Sequence, residues 1–130
     1  MTLPLQVASI DGAQELYDWF GYWPTFHDAE VLRLELNRSG SSLLTVRTKE
    51  VTSETGKKGY YVPAKNVTVE FMIEGVLDLD LNGFSHQNVI SYIEVEKTTN
   101  GFLVTLSPCY GLAGTIEVSK ISIRLSPKEP

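Results

Sequence analysis

The chain has 130 residues, a net charge of −5 and 42% hydrophobic residues. These values are typical of one globular domain with a substantial core, and they exclude a wholly disordered or fibrous chain. No apolar run approaches the ~18 to 20 residues of a transmembrane helix, and the single cysteine excludes an internal disulfide framework.

The negative charge is concentrated near the start of the sequence. Residues 1–36 contain six acidic residues against Arg33 alone, whereas acidic and basic residues are equal in number after that point. Such a segment disfavours nucleic acid or an anionic membrane as a partner and favours a basic protein, although a solvated acidic surface is the commoner explanation. The start of the chain lacks a basic region and a long apolar stretch, so we expect no signal peptide and a cytoplasmic location.

One helix is predicted near the N-terminus. Asp11 and Gln14 have the spacing of a capping box, and Gly21 is a typical residue at which a helix ends. The apolar residues between these positions recur at helical spacing and predict one buried face, formed by Ala13, Leu16, Tyr17 and Phe20.

The pattern then changes to the alternation of β-strands. Leu32, Leu34 and Leu36 occupy every second position, which predicts a half-buried strand with its leucines facing the core. Residues 42–48 are expected to return as the second strand of a hairpin. The polar, glycine-containing residues 52–60 are expected to form a flexible loop.

Further strands are predicted after this loop. Alternating apolar residues indicate strands over 67–73, 77–81, 89–96 and 102–106, with a hairpin turn at 98–101. In the second of these strands the leucines are expected to face the core. The acidic residues between them, Asp78 and Asp80, are expected on the opposite face.

The last predicted strand changes its alternation part-way. Ile116 and Val118 are at even positions, whereas Ile121 and Ile123 are at odd positions. Because one continuous strand cannot place both sets on the same face, we predict a bulge or bend at Ser119–Lys120. Residues 126–130 are expected to be a frayed tail.

These elements define a fold class. One N-terminal helix followed by mostly antiparallel strands is an α+β arrangement weighted towards β. We therefore predict a single domain over residues 1–130, in which the helix packs on an antiparallel sheet of about six to eight strands.

The segment from Trp19 to Glu30 is the richest in side chains that bind ligands. It joins aromatic residues to a polar cluster of His27, Asp28 and Glu30, which can bind zinc or manganese or transfer protons. The alternative, which we favour, is structural: Asp28 accepts backbone hydrogen bonds where the strand begins, and the aromatic residues pack in the core. No further ligands are evident, so we assign no metal, cofactor or catalytic residue.

Two weaker candidates lie elsewhere. Asp78 and Asp80 share a strand face and can chelate a cation, but a solvated outward pair is far commoner. Cys109 has no predicted base beside it, so an incidental thiol is favoured over a nucleophile.

Four blocks of the sequence have the residues and spacing of a known family. They are Trp23–Val31, Phe71–Leu81, Gly83–Ile90 and Tyr110–Ile116, and the Phe-His-Asp-Ala-Glu run in the first block is the most distinctive. Together they resemble the immunity protein 50 family, one of the bacterial immunity families associated with polymorphic toxin systems. The resemblance implies a small cytoplasmic protein without catalytic activity that binds and neutralises a cognate toxin.

Three functions remain open at this point. The first is an immunity protein that blocks a toxin stoichiometrically and binds neither nucleic acid nor membrane. The second is a metal-binding module or enzyme built on the polar cluster. The third is an oligomeric scaffold whose exposed strand edge pairs with a second copy, and a homodimer is compatible with the first function too. Aromatic residues are common anchors at interfaces, and the candidates are Trp19, Tyr22, Trp23, Tyr60 and Tyr61.

Overall fold

The computed structural model describes residues 7–50 and 65–128. The predicted flexible loop at 52–60 lies outside these residues. The described elements are α1 (Ala13–Phe20), β1 (Ala29–Glu35), β2 (Ser41–Glu50), β3 (Lys65–Asn82), β4 (Val89–Lys97), β5 (Phe102–Tyr110) and β6 (Ala113–Lys128).

The six strands form a closed antiparallel barrel in the order β1-β2-β3-β6-β5-β4. The prediction of mostly antiparallel β-structure with one helix is confirmed, but the prediction of an open sheet of six to eight strands was wrong. The barrel closes where β1 pairs with β4, through Ala29↔Ile90 and Glu30↔Val89. Closure of the barrel pairs the strand edges that an open sheet would leave exposed. The paired residues of β1 and β4 are far apart in the sequence, so no local sequence pattern indicates their pairing.

The longest ladder joins β3 to β6 and runs from Asn66↔Lys128 to Asn82↔Ala113. It continues three residues into the segment 126–130 that the sequence predicts to fray, because residues 126–128 pair with the start of β3. Apolar side chains from all six strands fill the barrel, including Val31, Leu44, Phe71, Ile90, Leu106 and Ile116.

The helix packs on β6 through Ala13, Leu16 and Phe20. It ends at Gly21 as predicted, but no side chain caps its start, so the capping box was a wrong prediction. The backbone oxygen of Asp11 instead accepts a hydrogen bond from Ile123 N at 2.7 Å, which attaches the start of the helix to β6. The Gln14 amide donates to Asp18, not to the helix start.

The predicted inward row of leucines in β1 was wrong for Leu32 and Leu36, whereas Leu34 packs against the core. A bulge between Val31 and Arg33 shifts the register against β2. Ala29 and Val31 are therefore buried, whereas Leu32 and Leu36 are exposed. A bulge adds one residue to a strand and so reverses which residues face the core, which periodicity alone does not indicate.

The second predicted leucine row fails at Leu77 and Leu79, whereas Leu81 packs against the core. Leu79 is opposite Ile116 on the same face of the ladder, yet Leu79 is 43% exposed and Ile116 is fully buried. The pairing of β2 with β3 ends at Ser41↔Glu74, so residues 75–82 of β3 extend beyond β2. Leu77 is the extra residue of a bulge between Val76 and Asp78, and Leu79 lies where no neighbouring β2 residue covers it.

The change of alternation in β6 is present as predicted. Ser119 and Lys120 are both exposed between buried Val118 and Ile121. Gly75 on β3 lies beside this point with a φ of 68° and approaches Ser119 closely. A side chain at Gly75 would collide with the Ser119 hydroxyl group. Glycine at this position therefore allows the alternation of inward and outward residues to change in β3 and β6 at the same point.

Candidate functional site

Residues 25–29 form a turn that attaches the start of β1 to β4. Asp28 N donates to Ile90 O at 3.0 Å, and Ile93 N donates to Thr25 O at 2.9 Å. Within the turn, Ala29 N donates to Phe26 O at 3.1 Å. The turn therefore has a single position relative to the barrel, fixed by backbone hydrogen bonds at both ends.

Two non-glycine residues in this turn have left-handed backbone conformations, Phe26 with a φ of 65° and Asp28 with a φ of 62°. Such a conformation is unusual for a bulky residue and costs about 1–3 kcal/mol. The Phe26 ring is buried and packs edge-on against Phe71 at a centroid distance of 5.6 Å. Burial of a phenylalanine contributes roughly 1.5–3 kcal/mol, which offsets the strain.

The buried Phe26 ring leaves the next two side chains outside the barrel. The His27 and Asp28 side chains are 69% and 67% exposed, and His27 Nε2 lies 3.4 Å from Asp28 Oδ2. The other ring nitrogen, His27 Nδ1, lies 3.2 Å from the carbonyl oxygen of Ser91. An imidazolium would donate to both oxygens, and full solvent access makes such a pair worth at most about 1 kcal/mol.

Two bulges in the β4–β5 ladder bring further groups to this pair. Ser91 is the extra residue in β4 between Ile90 and Tyr92, and its carbonyl group is the one that faces His27. Cys109 is the extra residue in β5 between Pro108 and Tyr110, and its thiol lies 4.0 Å from Asp28 Oδ1. Bulges commonly redirect single residues in this way.

The sequence did not indicate that Cys109 would lie beside Asp28, because 81 positions separate them. The Asp28 carboxylate lies between the Cys109 thiol and the His27 imidazole and contacts both. This order differs from that of a cysteine nucleophile, in which a base contacts the thiol directly. The arrangement is a solvent-exposed polar cluster at a strained turn.

Glu30 does not join this cluster. Its side chain points outward from β1 and pairs with Arg47 on β2, with Arg47 Nη2 at 2.7 Å from Glu30 Oε1. The strand begins at Ala29, so Asp28 precedes it and does not share the inward face of the strand. In the described part of the chain, no three His, Cys, Asp or Glu side chains are grouped so as to hold a metal ion.

The candidate aromatic residues lie around the helix end. Trp19 and Trp23 are partly buried against the core, and the Trp19 ring packs on Phe20 at 4.7 Å. Tyr22 is exposed and lies 5.8 Å from the Phe20 ring. Tyr60 and Tyr61 lie outside the described residues. Of the described three, Tyr22 has the most surface available for a partner.

A comparison with known protein families identifies the family of this chain. A family model described as Immunity protein 50 matches residues 12–126, which is most of the chain. The chain belongs to this family. No curated protein and no solved structure gives a match.

The match to the Immunity protein 50 family spans both the strained turn and the loop before β4. Asn88, which lies in this loop, is not among the candidate residues that the sequence predicts. The structure shows that Asn88 is buried and that its side-chain amide bonds to three backbone groups. The sequence signal for Asn88 is its position in the Gly83–Ile90 block that resembles the family.

The remaining candidates of this Immunity protein 50 chain lie on β3. Asp78 and Asp80 point outward and share one face, as their spacing predicts. Leu77, Leu79, Phe84 and Tyr110 are exposed apolar or aromatic residues at the same end of the strands or in the adjoining loop. Between residues 7–50 and 65–128, no helix has the length and apolar character needed to cross a membrane.

Proposed function

We propose that this chain is an immunity protein that binds a cognate bacterial toxin and neutralises it by stoichiometric occlusion, without catalysis. The observation that carries the proposal is the Immunity protein 50 match over residues 12–126. The partner is a toxin made by the same or a neighbouring cell, and the binding takes place in the cytoplasm.

The architecture is compatible with a blocking role. A closed barrel with a continuous apolar core presents its surface side chains on a rigid frame, so little conformational entropy is lost on binding. A tight blocker buries about 1,200–2,000 Å² in total with its target, an area that one side of a small barrel can supply.

The first test is co-expression with the protein encoded immediately upstream of this gene. We expect that protein to arrest growth when expressed alone, and we expect this chain to restore growth and to purify with it in a one-to-one complex. An upstream protein that is neither toxic nor bound would contradict the proposal.

A titration separates occlusion from catalysis. Purified toxin activity is measured against increasing amounts of this chain, and occlusion predicts that inhibition is complete at one equivalent. Inactivation of many toxin molecules by each copy of this chain would overturn the proposal in favour of an enzyme.

The variant His27→Ala/Asp28→Gly controls for chemistry at the polar cluster. Glycine accepts the φ of 62° at position 28, and both side chains are exposed, so the fold is retained. Occlusion predicts the same one-to-one end point for this variant. A complex that still forms but no longer inhibits would indicate that these side chains act chemically.

A further inference from the structure

Two neighbouring rows of outward side chains cross β4, β5, β6 and β3. The ladder registers define the first row as Glu94, Thr105, Thr115 and Asp80, and the second as Glu96, Leu103, Glu117 and Asp78. We call these eight residues the acidic face. It contains five carboxylates and no lysine or arginine.

The alternation of burial places this surface on the outside of the barrel. Ile93, Val95 and Val104 are buried residues that alternate with members of the acidic face along β4 and β5. Four of the carboxylates are exposed, and the fifth, on Glu117, is partly exposed. All five are therefore accessible to a partner that approaches this side of the sheet.

Three carboxylates on the barrel outside the acidic face pair with arginine. Glu30 pairs with Arg47, Glu35 with Arg33 and Glu70 with Arg124, all on strands β1, β2, β3 and β6 outside the acidic face. Among the described residues, no carboxylate of the acidic face forms an ion pair. The arginine–carboxylate pairs of the described strands therefore all lie outside the acidic face.

The acidic face also contains an arrangement that destabilises the isolated protein. Asp78 and Glu117 are directly opposite each other in the β3–β6 ladder. Like charges at opposed positions of an antiparallel pair repel each other. A cationic partner surface would remove this repulsion, whereas a neutral or acidic partner would not.

An aromatic side chain adjoins the charged rows. Tyr92 is exposed and follows the outward alternation of β4, two residues before Glu94 and opposite Ser107 of β5. Four strands at a spacing of about 4.8 Å make a surface roughly 14 Å wide. An exposed aromatic side chain beside charged residues is a common feature of protein-recognition surfaces.

We infer that the acidic face is the surface on which the toxin docks, and that the toxin presents lysine and arginine side chains to it. This inference rests on the proposed function, because the partner is the toxin. A second copy of this chain is the wrong occupant, since face-to-face pairing would oppose five carboxylates to five. Opposite charges across the interface would accelerate association and make it dependent on salt.

The test compares two isosteric variants in binding to the upstream-encoded protein. Asp78→Asn/Glu117→Gln removes two charges from the acidic face, and Glu15→Gln/Asp18→Asn removes two exposed charges from α1. At low ionic strength we expect the first variant to slow association at least about tenfold and to weaken its salt dependence. The helix variant, with the same net charge, should change the rate less than about twofold.

The outcomes separate this inference from the proposed function. Wild-type protein that binds and neutralises the toxin, with equal rates for both variants, would overturn the docking surface and leave the immunity function intact. An upstream protein that does not bind wild-type chain would overturn both. Thermal unfolding checks that the Asp78→Asn/Glu117→Gln variant is folded, and a melting temperature equal to or above that of wild type is expected because a repulsion is removed.

Discussion

The side-chain oxygen of Asn88 accepts a hydrogen bond from the backbone N–H of Leu112 at 3.1 Å. The same oxygen accepts from Ser85 N at 2.9 Å, and Asn88 Nδ2 donates to Ser85 O at 2.7 Å. The backbone oxygen of Asn88 accepts from Val31 N at 2.8 Å. One residue, 3% exposed, therefore joins the loop before β4, the turn between β5 and β6, and the strand that closes the barrel.

Asn88→Ala should destabilise the protein strongly. It leaves the buried N–H group of Leu112 and the N–H and carbonyl groups of Ser85 without their side-chain partner, and we expect a loss of about 2–4 kcal/mol in the free energy of unfolding. Urea unfolding followed by tryptophan fluorescence measures the change. Gln87→Ala, at an exposed neighbouring position, should stay within about 0.5 kcal/mol of wild type, and equal losses in the two variants would contradict the role of Asn88.

Gly12→Ala tests the close contact between the helix start and β6. Gly12 has a φ of 88°, and a Cβ there would overlap the carbonyl oxygen of Ile123. Gly40 has a φ of 85° with open space around it, so Gly40→Ala carries the backbone strain alone. We expect losses of about 1 kcal/mol for Gly40→Ala and about 2–4 kcal/mol for Gly12→Ala, measured by chemical unfolding. Similar losses would show that crowding by β6 is unimportant.

Phe26→Ala should destabilise the protein, even though Phe26 has a strained backbone conformation. The substitution empties the space beside Phe71 while the left-handed backbone remains, and we expect a loss of about 3–5 kcal/mol. Phe84→Ala removes an exposed ring and should cost less than about 0.5 kcal/mol. Calorimetry on both variants measures these losses of stability. A small effect of Phe26→Ala would mean that the ring does not anchor the turn.

Glu35 should titrate below the ordinary range of a glutamate. Hydrogen bonds from Asn37 and Arg33, together with the arginine charge, lower the pKa of Glu35. Its contribution to stability is therefore present above the ordinary glutamate pKa of about 4.3 and is lost as the pH falls through the lowered pKa. Carbon-13 NMR titration should give a Glu35 midpoint below the ordinary glutamate value, and Asn37→Ala should raise this midpoint. An unchanged midpoint in Asn37→Ala would contradict this explanation.

Predictions that depend on neighbouring residues in the sequence agree well with the structure. The helix ends at Gly21, and β6 changes its alternation at Ser119–Lys120, because glycine conformation and the two-residue period of a strand are local properties. Predictions of burial fail where partner strands decide the outcome. Leu32 is at a bulge against β2, and Leu79 lies beyond the end of β2, so periodicity assigned both to the core wrongly.

The candidate site also combines an arrangement that the sequence indicates with contacts that only the fold creates. His27 and Asp28 lie together because they are adjacent in one turn. Glu30 is two residues away but points to Arg47 on another strand, and Cys109 reaches Asp28 only through a bulge in β5. The register of the ladders determines where bulges occur and which residues are opposite each other. A single sequence does not specify that register.

The sequence by itself determined the family, the single helix and the dominance of antiparallel strands, because motifs and alternation are properties of consecutive residues. It located the excess negative charge in residues 1–36 and found the rest of the chain neutral. Only the tertiary structure decided that the barrel closes and that carboxylates from four strands share one face. The physical reason is that the ladder registers bring distant residues side by side, so a chain segment without net charge can still have a strongly charged side.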